Sequence, residues 1–463
     1  MTLIRRPSLL AVLLAASVAA SGCSTVGRLN PFHGKDAPKE TASEGERISL
    51  VGSDQQVAVA DALKGADFFL PTPTPIADWP LPGGTPEQSV ENVDAAPNLS
   101  IAWKRGVGQG SGRGQHVTAP PVAAAGKVFT MDGEARVSAH DAQSGAEVWR
   151  VDLRPTDNKR DREAFGGGLA YADGKLYVTS GYRFVAQLDA ATGAVGWRTS
   201  TEQPIHAAPT VADNRVMAVA IDNTLLTFDT TTGQPGWIYQ ALSEPARILA
   251  ASSPAVSGDT VVASFGSGEL VALRVANGND LWNEALSRAS RTSALSEIRD
   301  IPGRPVIYQG DVYAVSHSGV FAATDLRTGQ ARWSLPVVGI SSPWAAGDVV
   351  YVVSKSGQVI CAARESGQIY WITDLNAGQP EGKKGGFFGI GARKTGRPVW
   401  SSPLLANNRL LVAGSTGELV ALNGKTGVVE KRVNLGAPTL IGPIAAAGSI
   451  YVVTDDADLI ALR

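Results

Sequence analysis

Residues 341–371 read SSPWAAGDVVYVVSKSGQVICAARESGQIYW. Val349–Val353 is a β-branched and aromatic run, entered from Gly347-Asp348 and left at Ser356-Gly357. Val359–Ala363 is a second short run, and Glu365-Ser366-Gly367 turns the chain into Ile369–Trp371. Short β-prone runs between Gly/Asp/Ser turns predict antiparallel hairpins. The unit returns along the chain, and its ending reads Asp-x-x-x-Gly-x-x-x-Trp at Asp141–Trp149, Asp189–Trp197, Asp229–Trp237 and Asp325–Trp333. Arg274–Trp282 and Arg364–Trp371 are looser copies. No segment of the mature chain sustains a 3.6-residue apolar period, so helices are not needed. Self-similarity at about 40–60 residues, with four strands per unit, predicts an all-β fold, a β-propeller.

Each unit opens on a small-small-Pro turn. The prolines are Pro120, Pro209, Pro254, Pro305, Pro343, Pro403 and Pro443, with Gly167-Gly168-Leu169 in the equivalent place of the second unit. These starts predict eight blades over about residues 98–463. The last unit lacks a fourth strand after Leu459–Leu462, and Ser100–Lys104 supplies one from the other end. Joining the N-terminal strand to the last blade would close the ring and protect its edges.

The repeated tryptophans, Trp103, Trp149, Trp197, Trp237, Trp282, Trp333 and Trp371, are expected to dock one blade on the next. A ring burying about 150–250 Å², at about 25 cal/mol per Å², contributes roughly 4–6 kcal/mol per junction. The glycine four residues before each Trp is expected to take positive φ and leave room for that ring. Lys431 stands where the seventh blade should have its Trp, which predicts a weaker junction there.

The N-terminus reads as a processing segment. Arg5-Arg6 precede the apolar stretch Leu9–Ala20, which is too short for a bilayer span, and small residues follow. Its end, Ala20-Ser21-Gly22-Cys23, resembles a bacterial lipobox with Ala20 in place of the usual Leu. Residues 1–22 are thus expected as a lipoprotein signal peptide, with Cys23 lipidated. Ser24 after it suggests sorting to the outer membrane. Residues 24–97 carry 5 Lys/Arg against 11 Asp/Glu and Pro/Gly clusters such as Pro71–Pro75. We expect residues 23–97 to be an extended, acidic tether. A short element near Gln56–Leu70 is left open between helix and strand. The remaining Cys361 sits mid-strand and is expected as a buried apolar residue.

Chemistry-bearing patterns are sparse. Residues 98–463 hold 34 Lys/Arg and 32 Asp/Glu, so no basic face points to nucleic acid. His116, His140, His206 and His317 fall in different blades without metal-ligand spacing, and neither metal nor cofactor is expected. His116 and His206 precede Pro turns and fit a channel mouth. Gly106–Gly114 lacks the Gly-Lys-Ser/Thr ending of a phosphate loop. Residues 376–397 form a basic, Gly-rich insertion with Phe387, Phe388 and Ile390 at its centre; it fits a membrane-surface or acidic-partner contact and a tolerated loop equally.

The stretch Ala186–Trp197, AQLDAATGAVGW, resembles the tryptophan-docking repeat of quinoprotein alcohol dehydrogenases. That likeness implies a quinone (PQQ)-dependent, dehydrogenase-like propeller with divergent or lost activity as the alternative function. The chain departs from those enzymes in having no Cys-Cys pair. Lipobox, acidic Pro-rich segment and eight-bladed ring together resemble the BamB family of lipoproteins of the outer-membrane β-barrel assembly machinery, most closely over Val312–Trp333. This resemblance implies a non-enzymatic scaffold anchored in the outer membrane and facing the periplasm, monomeric within its complex. It would dock periplasmic domains of the integral barrel insertase beside accessory lipoproteins, and assist unfolded outer-membrane protein clients. The family's partner-contacting loops map onto Arg247, Ile248 and Leu249 before Pro254, and onto Ile298, Arg299 and Asp300 before Pro305. Leu249 replaces the family's Arg, and Pro302 its second Asp. Residues 293–304 also mix apolar Leu295, Ile298 and Ile301 with charges, as a docking patch does.

Overall fold

The computed structural model describes residues 57–112, 114–155, 165–243, 252–287, 298–378, 383–384, 393–394 and 396–463. All of them belong to one compact unit, Asp54–Arg463. They form eight four-stranded antiparallel sheets. In blade 1 the strands are Val122–Ala124, Lys127–Met131, Arg136–Asp141 and Glu147–Asp152, paired in that order. Blade 8 takes three strands from the C-terminal end, Ile444–Ala446, Ser449–Val453 and Asp458–Leu462, and its fourth from Ile101–Gly106. That last pairing runs from Ile101 opposite Leu462 to Gly106 opposite Asp458.

Burial follows position in the blade. Every residue of Asp311–Val315, Val349–Val353 and Ser449–Val453 is buried, because neighbouring blades cover both faces. The fourth strands, such as Glu147–Asp152 and Val195–Ser200, stay largely exposed. The apolar clusters therefore lie between blades: one joins Phe129, Leu169 and Phe184 of blades 1 and 2, another Val262, Ile307 and Val312 of blades 4 and 5. Cys361 is fully buried opposite Trp371, and burial pushes its thiol well up.

The tryptophan junction works across blades. Trp149 donates from Nε1 to the Ala190 carbonyl, Trp197 to Thr230, Trp237 to Val275, Trp282 to Leu326 and Trp333 to Arg364, at 2.7–3.1 Å. Each acceptor belongs to the turn between third and fourth strands of the following blade, Asp-x-x-x-Gly for Ala190, Thr230 and Leu326, and Arg274–Gly278 and Ala363–Gly367 for the other two. The glycine of that turn is the ring's seat: a Cβ on Gly193 would stand 2.7 Å from the Trp149 ring, and one on Gly233 2.5 Å from Trp197. The glycine thus makes room for the preceding blade's Trp and not, as its spacing suggested, for the Trp four residues on. The turn's Asp supports this seat; Asp189 Oδ1 accepts from the Ala191 and Thr192 amides and the Thr192 hydroxyl. Trp103 and Trp371 fill the same seats, on Gly145 and Gly427, without a bond from Nε1. There Tyr451 and Tyr351 donate to the carbonyls of Ala142 and Gly424 instead.

Residues 57–97 do not stand apart from the ring as a tether. They are extended, with one 3-10 turn at Asp61–Leu63, but Phe68, Leu70, Trp79, Leu81 and Val93 are buried. Between Ile76 and Ala96 this strap bonds to all eight blades. Trp79 pairs with Ala123 of blade 1, Pro80 accepts from the Tyr171 amide of blade 2, and Gln88 donates to Thr210 Oγ1 of blade 3. Pro86 and Glu87 accept from the Val256 and Ile307 amides of blades 4 and 5, and Glu91 from Trp344 Nε1 of blade 6. Val93 donates to Leu405 of blade 7; Ile76 and Ala96 bond to Ala447 and Gly448 of blade 8. The contacts fall along the first strands, from Thr210 and Trp344 that open theirs to the Ala447-Gly448 turn that leaves one, so the strap lines the inner edge of the ring. Local composition reads as linker, yet a segment without periodicity is ordered here by supplying partners to the innermost strands. Cys23 and the signal segment lie outside the described residues.

Candidate functional site

Two features sit on the face where the chain enters the first strands. One is the loop before blade 5; the other is an axial pocket.

Of the candidate partner residues, Arg247, Ile248 and Leu249 lie outside the described residues. Arg299 is exposed, Ile298 half-buried and Asp300 buried at 1% exposure. The Asp300 carbonyl accepts from the His317 amide at 2.8 Å, which pins the loop to blade 5. Ile301, also at 1%, packs with Leu270, Leu286 and Val312 in the core between blades 4 and 5. The loop's apolar centre thus faces inward in part: Ile301 is core, Asp300 is enclosed, and Arg299 presents its side chain to solvent. Sequence pattern missed this because an inter-blade connection needs its own core anchors, and these look the same as a docking patch.

Beside this loop Lys355 Nζ lies 2.8 Å from His317 Nε2. An ammonium has only donors, so Nε2 accepts and the imidazole is neutral. Burial, and then the Lys355 charge, hold His317 below its ordinary value. Leu242, at 68% exposure, follows the last strand of blade 3, and Val338, at 41%, follows that of blade 5. This face can therefore offer an apolar and cationic surface, with Arg299 and Lys355 as its charges.

The pocket has a volume of about 470 Å³ and is lined around the axis by the small-small-Pro turns, among them Pro120, Ser253, Ser342 and Ser402. His116 and His206 both reach it, placed on either side of Phe165 with ring centroids 5.1 and 4.3 Å away. Arg304 and Asp455 complete its polar lining. Among the described residues no group of three or more His, Cys, Asp and Glu comes together as a metal site would require. None of their helices is long and apolar enough to cross a membrane. In the basic insertion, Lys383–Lys384 pairs with Arg393–Lys394; Phe387, Phe388 and Ile390 are outside the described residues. Its base is tied by Asn376, which donates to the Ser356 and Pro398 carbonyls and accepts from Trp400 Nε1.

The outer membrane protein assembly factor BamB of Escherichia coli is 24% identical over 362 residues, 77% of this chain and 87% of that protein. The crystal structure of BamB from Moraxella catarrhalis superposes with a TM-score of 0.63 at 18% identity, over 78% of this chain and 99% of that one. A quinohemoprotein alcohol dehydrogenase from Pseudomonas putida gives the same TM-score at 13% identity, over 83% and 80%; at that identity the likeness shows the shared fold alone. The family model described as outer membrane protein assembly factor BamB matches residues 133–373 and 382–463, most of the ring, and the chain belongs to that family.

Proposed function

We propose that this chain is a non-enzymatic scaffold for β-barrel protein assembly at the outer membrane. In this reading a lipid on Cys23 holds it at the periplasmic face. Its blade 3–5 loops dock periplasmic domains of the integral barrel insertase. The family match over most of the ring carries the reading. The exposed Arg299, Leu242 and Lys355 around the mapped loop support the docking face. Arg247, Ile248 and Leu249 belong to the same proposed surface. A hydrogen-bonded, core-anchored loop suits docking, since little conformational freedom is left to lose on association.

Mild-detergent co-purification of the tagged, membrane-extracted chain tests the reading. An insertase and its accessory lipoproteins should dominate the eluate, and Arg299→Glu should deplete them while the unfolding midpoint stays at the wild-type value. Recovery of the chain alone, or with a redox complex, overturns the assembly reading. Wild-type recovery with Arg299→Glu moves the docking face elsewhere. Metabolic labelling with palmitate, lost in Cys23→Ser, checks the anchor.

A further inference from the structure

Arg304 lines the axial pocket and forms no ion pair among the described residues. Its side chain is half-buried, and Nε itself is out of reach of solvent. Nε has no hydrogen-bond partner. Arginine nitrogens so buried rarely lack a carboxylate or phosphate to satisfy the guanidinium.

The backbone holds this cation in place. The Arg304 amide donates to Ser342 Oγ at 2.8 Å. The Gly303 carbonyl accepts from Ser252 Oγ at 3.1 Å and Ser264 Oγ at 3.4 Å. A Cβ on Gly303 would meet the Ser341 carbonyl at 2.7 Å, so the turn lies close against the next blade. Protein walls on several sides of the pocket lower the local dielectric and strengthen charge pairing there. At about 470 Å³ it falls within the ordinary range of small-molecule sites.

We propose that this pocket binds a small organic carboxylate, its oxygens on the Arg304 guanidinium and its apolar body on the Phe165–His206 stack. The guanidinium fork suits a carboxylate, which it can hold through two parallel bonds. Val117 and Ile441 supply further apolar wall. Asp455 also lines the pocket, and burial, then the neighbouring Asp456, raises its carboxyl from the ordinary value. A second negative charge on the ligand would meet Asp455, so a single carboxylate fits better than a dianionic phosphate ester. Among the described residues no carboxylate pairs with Arg304, and burial draws its guanidinium down to about 10. This assignment does not depend on the scaffold reading.

Calorimetry with the detergent-solubilised full chain tests it, using benzoate, neutral benzamide and dianionic phenyl phosphate as probes. Benzoate should bind saturably, benzamide should not, and Arg304→Gln should weaken benzoate by about tenfold or more, the loss of one charge-assisted pair. Asp455→Asn should tighten it. The unfolding midpoint of Arg304→Gln should not fall, since the change removes an unpaired, half-buried charge. Arg304→Met serves as a second neutral variant if Gln fails to fold. Equal benzoate affinity in wild type and both neutral variants, or no saturable binding of any probe, overturns the proposal. Preference for phenyl phosphate overturns the carboxylate assignment.

Discussion

Replacing Gly193 with alanine separates the two tasks a junction glycine performs. Gly193 and Gly174 both lie in blade 2, and both have φ of 76°. Left-handed backbone costs an L-residue about 1–2 kcal/mol, partly offset by about 0.4–1 kcal/mol from a stiffer unfolded chain. Gly174→Ala should therefore lose about 1 kcal/mol, because nothing lies within 4 Å of its added Cβ. Gly193→Ala carries the same backbone cost and adds a collision, 2.7 Å to Trp149 Cε3 and 2.8 Å to Cδ2. The ring cannot simply retreat. Its Nε1 is bonded to the Ala190 carbonyl at 3.1 Å, and Phe129 packs on it with centroids 6.0 Å apart. Overpacking of this kind adds about 1–3 kcal/mol, so Gly193→Ala should lose about 2–4 kcal/mol in all. Urea unfolding followed by tryptophan fluorescence measures both variants. Trp149→Leu added to Gly193→Ala should close part of the gap. Losses for the two alanine variants that agree within about 0.5 kcal/mol would refute the seat.

Trp79, at 1% exposure, stacks on Trp344 with centroids 6.3 Å apart and pairs with the innermost strand of blade 1. Trp79→Ala should cost about 3–5 kcal/mol in urea unfolding, whereas a free tether would lose nothing. His140 is buried between Ser138 Oγ and the Gly145 carbonyl, and burial holds its imidazole below 6.5. Unfolding therefore takes up a proton at this site below about pH 6.5, so its contribution is complete above that value. It is lost as pH falls toward the folded-state value, by up to about 1.4 kcal/mol per pH unit. His140→Gln should flatten the decline in unfolding midpoint between about pH 6.5 and 5, and an unchanged slope would count against the buried neutral form. Asn376→Ala leaves Trp400 Nε1 and two carbonyls without their partner and should cost about 2–3 kcal/mol by the same assay; Asn376→Asp keeps the acceptor for Trp400 but turns a carboxylate oxygen on the same two carbonyls, and should cost at least as much.

The ring was legible because each blade writes its own copy of one local rule. Val349–Val353 between two Gly turns can only be a short buried strand, and the rule returns at every blade start from Pro120 to Pro443. What could not be read is which copy touches which. Gly193 lies four residues before Trp197 and one blade away from Trp149, and an even repeat offers both pairings with equal weight. Only the three-dimensional stack shows that it serves Trp149. The strap failed to declare itself for a different reason. Its bonds run to eight strands spread over the whole chain, so no local period marks them. Asp300 and Arg304 fall between these cases. Both sit in a charged inter-blade stretch, and sequence treats both as surface, while one is enclosed between blades and the other faces the axis.

Lys431 shows how ring closure rewrites the repeat. The seventh blade's fourth strand, Val429–Asn434, places Lys431 opposite Ala421, just as blade 1 places Trp149 opposite Ala139. A Trp there would need the third-to-fourth-strand turn of blade 8 as its seat. Blade 8 has no such turn, because its third strand, Asp458–Leu462, and its fourth, Ile101–Gly106, come from opposite ends of the sequence. In its place runs the end of the strap, and Lys431 Nζ donates to the Asn98 carbonyl at 2.6 Å. The seventh junction is therefore a different contact, fitted to the seam where the two ends of the chain meet. The same seam explains why the strap adjoins it. Ala96 accepts from Arg409 Nη2 of blade 7 and donates to Gly448 of blade 8, Ser100 exchanges both backbone bonds with Arg463, and the chain passes at once into the closing strand. Closing the ring and lining its inner edge are thus done by one continuous segment, so a change that loosens the strap should also loosen blade 8.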